Sequence, residues 1–120
     1  MREKSSLGAA EGARLAVDVA SEKQAADIVM LDMRELSAFT DYFVILTGER
    51  HRQVQALLDD IDQALDEAGM TIHHREGTAE GGWVLLDYGD LVIHLFAPEE
   101  REYYHLEQLW SQATVMFRIQ

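Results

Sequence analysis

Two long segments of the chain carry apolar side chains at every third or fourth position, and this spacing predicts two amphipathic helices. The first covers Ala9–Gln24, and its apolar stripe is only modestly hydrophobic. The second has its stripe from Val54 to Ala68, followed by Gly69 at the position where a left-handed helix end favours glycine. The acidic residues of the second helix fall on the opposite face, which we interpret as solvated: Asp59, Asp60, Asp62, Asp66 and Glu67.

Short runs of apolar residues predict five strands. Ile28–Met33 and Tyr42–Leu46 are rich in aliphatic and aromatic side chains, which is typical of strands buried on both faces. Met70–His74 predicts a third, short strand. Trp83–Asp87 and Asp90–Phe96 lie so close together in the sequence that they predict a hairpin.

The remaining segments predict a turn, a last helix and a tail. The stretch 77–82 is rich in glycine and predicts a flexible turn. Pro98 opens a predicted last helix, Glu99–Trp110, because proline is tolerated at the first helical position, where its missing N–H has no partner. Residues 1–8 are small and polar, and they predict a flexible N-terminal tail.

The predicted hairpin has two faces of different character if residues 88–89 form a two-residue turn. In this register Leu86 lies opposite Leu91, and Val84 lies opposite Ile93. That face is wholly apolar and is suited to packing under helices. The other face combines aromatic, aliphatic and acidic side chains in three predicted pairs: Trp83 with His94, Leu85 with Val92, and Asp87 with Asp90.

This second hairpin face, which Phe96 continues, has two possible interpretations. The last helix could fold over it, through Tyr104, Leu106 and Trp110. Alternatively, the face is a binding surface, since an exposed tryptophan beside aliphatic side chains and surrounded by carboxylates is typical of an interface hot spot. The pattern of residues alone leaves both interpretations open.

Composition narrows the classes of protein to consider. The chain has 120 residues, of which 48% are hydrophobic, so we expect one small globular domain and a cytoplasmic location without membrane segments. It contains no cysteine, which excludes disulfides and thiolate chemistry. Its 10 basic and 22 acidic residues give a net charge of -12, so direct binding to nucleic acid is disfavoured and a basic protein partner is favoured.

No pattern of catalytic or metal-binding residues stands out. Asp87 and Asp90 face each other across a turn rather than sharing one side of a strand, so we expect no metal there. His73 and His74 are adjacent and point to opposite faces of a strand, so they cannot chelate one ion together. No serine lies in a nucleophile elbow, and the glycines form no phosphate-binding motif. We therefore expect no catalytic residues and no cofactor.

Several segments together resemble one known family. These are Leu31–Arg34, Thr40–Gly48, the WVLLDYGD block Trp83–Asp90, and the ending Tyr104–Trp110 with its YxLExLW pattern. They look like the ribosomal silencing factor family, also called Iojap-like. The resemblance extends over about residues 13–110, and we place the domain boundaries at 9–113, with 114–120 as a C-terminal tail.

The resemblance implies an α+β domain, with a mixed β-sheet of about five strands packed with helices and a topology similar to nucleotidyltransferases without their catalytic carboxylates. It implies a protein that is not an enzyme. Such proteins bind the large ribosomal subunit through its protein number fourteen and block the joining of the small subunit when nutrients are scarce. The residues that the resemblance assigns to partner binding are Trp83, Leu85, Asp87, Tyr88, Asp90, His94, Tyr104 and Leu106.

Two alternatives to this function remain. A nucleotidyltransferase-like enzyme would need two or three carboxylates that converge on magnesium, and the candidates are Asp32, Asp41, Asp87 and Asp90. A self-associating module would instead bury its apolar sheet face in a homodimer, and a dimer of the free protein is compatible with a monomer on the ribosome.

Overall fold

A mixed six-stranded β-sheet forms the centre of the molecule in the computed structural model, which describes residues 8–119. In chain order the elements are α1 (Ala9–Glu22), β1 (Ala26–Asp32), β2 (Tyr42–Thr47), α2 (His51–Glu67), β3 (His74–Thr78), β4 (Trp83–Asp87), β5 (Leu91–Phe96), α3 (Pro98–Tyr104), α4 (Leu106–Leu109) and β6 (Thr114–Ile119).

The strands are ordered β3-β4-β5-β2-β1-β6 across the sheet. Strands β2 and β5 are parallel, and all other neighbouring strands are antiparallel. This confirms the α+β class and the mixed sheet, with six strands instead of about five. Of the predicted N-terminal tail, residues 1–7 lie outside the described residues. Within residues 8–119, no helix is both long enough and apolar enough to span a membrane.

Helices α1 and α2 pack on one face of the sheet and bury the larger apolar cluster. The hairpin residues Val84, Leu86 and Ile93 are each 0% exposed beneath these helices. Each fully buried aliphatic side chain of this kind contributes about 1.5–3 kcal/mol to folding. The stripe of α2 is buried as predicted, through Val54, Leu57, Leu58, Ile61 and Leu65. Gly69 has a φ of 94°, as expected for the residue that follows the helix.

The opposite face of the sheet carries a smaller apolar cluster that the last helical segment partly covers. Its buried members are Val29, Leu31, Met33, Phe43, Ile45, Phe96 and Leu106. Trp110 lies edge-on to Phe43, with ring centroids 5.9 Å apart. Leu106 and Trp110 therefore cover one part of this face, as the first interpretation predicts, while Trp83 and Leu85 stay half-exposed.

The predicted register of the hairpin is wrong by two residues. Leu86 pairs with Ile93 rather than with Leu91, and Trp83 pairs with Phe96 rather than with His94. The reason is the turn, since the N–H of Tyr88 donates to the carbonyl of Leu91 at 2.8 Å, so the two-residue turn is 89–90 rather than 88–89. Gly89 supplies the positive φ of 92° that this turn needs. A shift of two keeps every side chain on its predicted face.

The predicted third strand and the predicted last helix both differ from the structure. Strand β3 begins at His74, and Met70 and Ile72 instead pack against the larger cluster from the connection that precedes it. The last helix is interrupted at His105, which adopts left-handed φ and ψ values of 47° and 47°. This break separates α3 from α4 and lets Leu106 turn into the smaller cluster.

Residues 114–119 form a strand rather than a tail outside the domain. Strand β6 pairs antiparallel with β1 at the edge of the sheet. All its residues except Ile119 are exposed, so backbone hydrogen bonds to β1, rather than side-chain burial, hold it in place. A strand stabilised in this way leaves little signal in the pattern of apolar residues.

Candidate functional site

The half-exposed part of the second sheet face forms the candidate binding surface, which we name the Trp83 surface: Trp83, Leu85, Asp87, Val92 and Tyr104. Alternation along β4 places Trp83, Leu85 and Asp87 on one side of the sheet, where each is partly exposed. Val84 and Leu86 point to the other side and are buried. Val92 pairs with Asp87 on the neighbouring strand. Tyr104, at the end of α3, extends the surface beyond Trp83.

The Trp83 indole packs against two other aromatic rings. It stacks on Phe96, with centroids 5.0 Å apart and planes inclined by 28°. The ring of Tyr104 lies against it, with centroids 4.5 Å apart. The indole Nε1–H donates a hydrogen bond to His94 Nδ1 at 3.2 Å. One side of the indole is therefore packed and hydrogen-bonded, while the rest is available to a partner.

His94 lies under the surface rather than in it, since it is only 4% exposed. Phe43 packs edge-on against its ring, with centroids 4.7 Å apart. Burial lowers the pKa of His94 to about 3, so the imidazole is neutral at physiological pH. A tryptophan N–H can only donate, so Nδ1 accepts and the ring proton is on Nε2. Nε2 is buried and has no hydrogen-bond partner among the described residues.

Two further residues of the predicted partner-binding set are also buried. Tyr88 is 6% exposed, and its hydroxyl donates to Asp62 Oδ1 at 2.7 Å, which ties the hairpin turn to α2. Burial and this hydrogen bond to a carboxylate raise the pKa of Tyr88. Leu106 is 7% exposed within the smaller cluster. In the free protein these side chains, like His94, support the surface and do not form it.

The two predicted aspartates lie at the turn end of the hairpin. Asp87 Oδ1 accepts the N–H of Gly89 at 2.7 Å, so this carboxylate stabilises the turn while remaining partly exposed. Asp90 is exposed, and its backbone carbonyl accepts N–H bonds from Asp41 and Tyr42. Further carboxylates line two grooves, one beside Trp83 and one beside Tyr104. One groove, of about 200 Å³, includes Glu76, and the other, of about 370 Å³, includes Glu99 and Glu100 beside Tyr104.

One buried cation that supports this region was not predicted from the sequence. Arg101 on α3 is 8% exposed; its Nη1 donates to Thr47 Oγ1 at 2.7 Å, and its Nε donates to Glu107 Oε2 at 2.8 Å. Burial alone would raise the pKa of Glu107, but the hydrogen bonds from Arg101 outweigh this effect and hold the pKa below its ordinary value. The pair is separated by six positions and spans the break at His105, so no helical spacing in the sequence indicates it.

Among the described residues, few side chains are placed to support metal binding or phosphoryl transfer. No group of three histidine, aspartate or glutamate side chains within residues 8–119 is placed to hold a metal ion. Asp32, at the end of β1, forms a bidentate salt bridge with Arg34, at 2.7 Å for the shorter contact, and the hydrogen bonds from Arg34 lower the pKa of Asp32. The arrangement presents a shaped aromatic surface with acidic surroundings, which is suited to binding another molecule.

Comparison with known proteins places these features in one family. A family model described as ribosomal silencing factor during starvation matches residues 6–120, and this range includes β6. The ribosomal silencing factor RsfS of Bacillus subtilis is 43% identical over 100 residues, which cover 83% of this chain and 85% of that protein.

Similarity extends to a solved structure and to more distant proteins. A crystal structure of a protein from Chromobacterium violaceum superposes with a TM-score of 0.83 at 36% identity, and the match covers 88% of each chain. The mouse protein named mitochondrial assembly of ribosomal large subunit protein 1 is 32% identical over 108 residues, which cover 88% of this chain and 47% of that protein. The chain therefore belongs to the ribosomal silencing factor family.

Proposed function

We propose that this protein silences ribosomes by binding the large subunit, through its protein number fourteen, at the face where the small subunit docks. Family membership supports a ribosome-associated silencing role, since relatives from several organisms are named ribosomal silencing factors. The name of the mouse relative, which refers to assembly of the large subunit, supports the choice of that subunit. Silencing when nutrients are scarce is the condition that the family description suggests.

The Trp83 surface is the observation that carries this proposal. Tryptophan and tyrosine dominate the binding energy of protein interfaces because they bury a large area and lose little conformational freedom. Trp83 is already fixed by Phe96 and His94 before any partner arrives, so little ordering cost remains on binding. Leu85 and Val92 provide aliphatic area around it. This combination fits a protein partner better than a small substrate.

Charge favours a basic protein over RNA as the direct contact. The net charge of -12 repels phosphate, whereas basic ribosomal proteins are attracted by it. Asp87 and Asp90 lie at one end of the Trp83 surface, where they can meet lysine or arginine side chains of the partner. A rim of this kind steers association and fixes orientation, while the apolar centre slows dissociation.

The proposed mechanism is steric and involves no covalent step or cofactor. A protein bound at the face between the subunits occupies the volume that the small subunit needs, so joining is blocked for as long as the complex lasts. We place this activity in the cytoplasm, where ribosomes assemble.

Self-association is a second candidate, favoured by the edge strand β6. This strand leaves one backbone edge unpaired in the described sheet and exposes Val115, Met116 and Phe117. A dimer of the free protein is compatible with a monomer on the ribosome. Light scattering over a concentration series measures the free protein directly: a mass that rises toward twice 13.6 kDa supports this candidate, and a constant monomer mass contradicts it.

Replacement of the central tryptophan tests the proposed contact. Trp83→Ala should weaken binding to purified large subunits by at least about 2 kcal/mol, the usual threshold for a hot spot. The matched control is Phe39→Ala, because Phe39 is 90% exposed on the loop between β1 and β2 and lies outside the Trp83 surface. Equal binding by the parent protein and Trp83→Ala, both shown to be folded by circular dichroism, contradicts the proposed contact.

A further inference from the structure

We propose that His94 is a positioning residue that fixes the orientation of the Trp83 indole, so that the ring is presented to the partner in one pose. The inference rests on the proposed function and deepens it. His94 is a residue that the family resemblance assigns to partner contact and that the structure buries.

The position of His94 allows it to act on the Trp83 surface only through Trp83. It cannot reach a partner in the free protein, because it is 4% exposed beneath Trp83. Its Nδ1 accepts the only hydrogen that the indole can donate, at 3.2 Å. The imidazole itself packs against Phe43, with centroids 4.7 Å apart, and lies nearly parallel to Phe96, at 12° with centroids 6.4 Å apart. A fixed acceptor of this kind sets the direction of the indole N–H.

The cost of placing a histidine there supports the same role. Because Nδ1 accepts, Nε2 carries the proton, and Nε2 is buried without a hydrogen-bond partner among residues 8–119. An unsatisfied buried donor costs free energy that an apolar ring of the same shape would avoid. For packing alone, phenylalanine would therefore serve at least as well as histidine. The hydrogen bond to Trp83 is the only polar contact within the described residues that accounts for the imidazole.

Stacking by itself does not fix the indole in one pose. The rings of Phe96 and Tyr104 both pack against the indole, with centroids 5.0 Å and 4.5 Å away, but they lie only 6.4 Å from each other and so do not sandwich it. A ring held only by such contacts can still turn about its side-chain bonds, which would exchange the edge that faces the partner. The directional N–H bond to His94 selects one of these orientations.

Two reciprocal substitutions separate positioning from packing. His94→Phe keeps a ring of similar shape but removes the acceptor. His94→Asn keeps a carbonyl oxygen close to the place of Nδ1 but loses most of the ring, so it leaves a cavity and lowers stability. If His94 positions the indole, the variant that keeps the acceptor should bind better. If His94 only fills space, the variant that keeps the ring should bind better.

We expect His94→Phe to be the more stable of the two variants and His94→Asn to be the tighter binder. We expect His94→Phe to unfold at the same temperature as the parent or higher, yet to bind large subunits at least about tenfold more weakly. We expect folded His94→Asn to melt earlier but to bind more tightly than His94→Phe. If His94→Phe binds as well as the parent, the proposal is wrong, whatever the behaviour of His94→Asn.

A second readout uses the free protein and no ribosome. The chain has two tryptophans, so the indole N–H signal of Trp110 serves as an internal control for that of Trp83 in nitrogen-15 NMR. In His94→Phe we expect the Trp83 indole to lose order on the nanosecond timescale and its N–H to exchange faster with water, while Trp110 is unchanged. An indole of Trp83 that stays as ordered as in the parent overturns the proposal. Failure of the parent protein to bind large subunits would instead overturn the proposed function and leave this readout valid.

Discussion

At the scale of single residues, the burial of His94 links stability to pH. Burial lowers its pKa from 6.5 to about 3 in the folded protein, whereas the unfolded chain keeps the ordinary value. Between these two values the unfolded state binds a proton that the folded state does not. The free energy of unfolding must therefore decrease as pH falls below 6.5, and this loss continues toward the folded pKa.

We expect this loss to reach about 1.4 kcal/mol per pH unit once the unfolded histidine is protonated. His94→Phe should remove it, so its unfolding free energy should change less with pH in the same window. Urea unfolding of both proteins at a series of pH values measures the difference. The lowered pKa values of Asp32 and Glu107 also reduce stability in acid, but they act equally in both proteins and cancel in the comparison. Parallel pH profiles for the two proteins would contradict a neutral, buried His94.

At the scale of elements, the Arg101 network joins the parts that cover the smaller cluster. Arg101 on α3 bonds to Thr47 on β2 and to Glu107 on α4, so one side chain connects three elements. The guanidinium is buried while the carboxylate of Glu107 is 27% exposed, so loss of the carboxylate leaves a positive charge with little solvent. Breaking such a pair from one side costs more than removing both members.

This asymmetry predicts different stabilities for Glu107→Gln, Arg101→Met and the variant that combines them. Glu107→Gln should lower the free energy of unfolding by about 2 kcal/mol, because the buried guanidinium then lacks its counter-charge. Adding Arg101→Met should restore part of this loss, so the double variant should be more stable than Glu107→Gln alone. Thermal and urea unfolding provide the measurement, with Glu102→Gln as the control for an exposed glutamate on α3. Additive losses from the two substitutions would show that the pair is not coupled.

The sequence predicts buried elements better than edge elements. The stripe of α2 and the apolar run of β2 are confirmed, because burial requires apolar residues at helical spacing in α2 and at every position in β2. Strands β3 and β6 lie at the two edges of the sheet and are largely exposed, so their residues follow no such period. The hairpin faces were predictable from alternation, but the register depended on which two residues make the turn.

The candidate site was predictable in part for the same reason. Alternation places Trp83, Leu85 and His94 on one face of the hairpin, as expected from the pattern of residues. Which of them is exposed depends on where α3 and α4 fold back, and this is a contact between distant segments that no local pattern encodes. The burial of His94 and the placement of Arg101 therefore required the structure.

At the scale of the whole molecule, the net charge of -12 predicts a rate of association that depends on salt. A strongly acidic protein approaches a basic partner faster at low ionic strength, because added ions screen the attraction. Dissociation is governed by the packed centre of the interface and should respond less to salt. If the carboxylates beside the Trp83 surface contribute locally, their removal should slow association more than the removal of distant carboxylates.

Two double variants with the same net charge test the local contribution. Asp87→Asn with Asp90→Asn removes two charges beside the Trp83 surface, and asparagine can still accept the Gly89 N–H in place of Asp87. Asp59→Asn with Asp66→Asn removes two exposed charges from α2. We expect the first pair to slow association with large subunits several-fold more than the second, as measured by stopped flow at two salt concentrations. Equal rates for the two variants would assign the effect to net charge alone.

The joining of ribosomal subunits provides the test of silencing by this protein. Purified large subunits are incubated with this protein, small subunits are then added, and the formation of joined ribosomes is followed by light scattering. We expect joining to fall in proportion to the large subunits occupied by the parent protein, and Trp83→Ala at the same concentration to leave joining intact. Normal joining when the large subunits are saturated with the parent protein would contradict the proposed function.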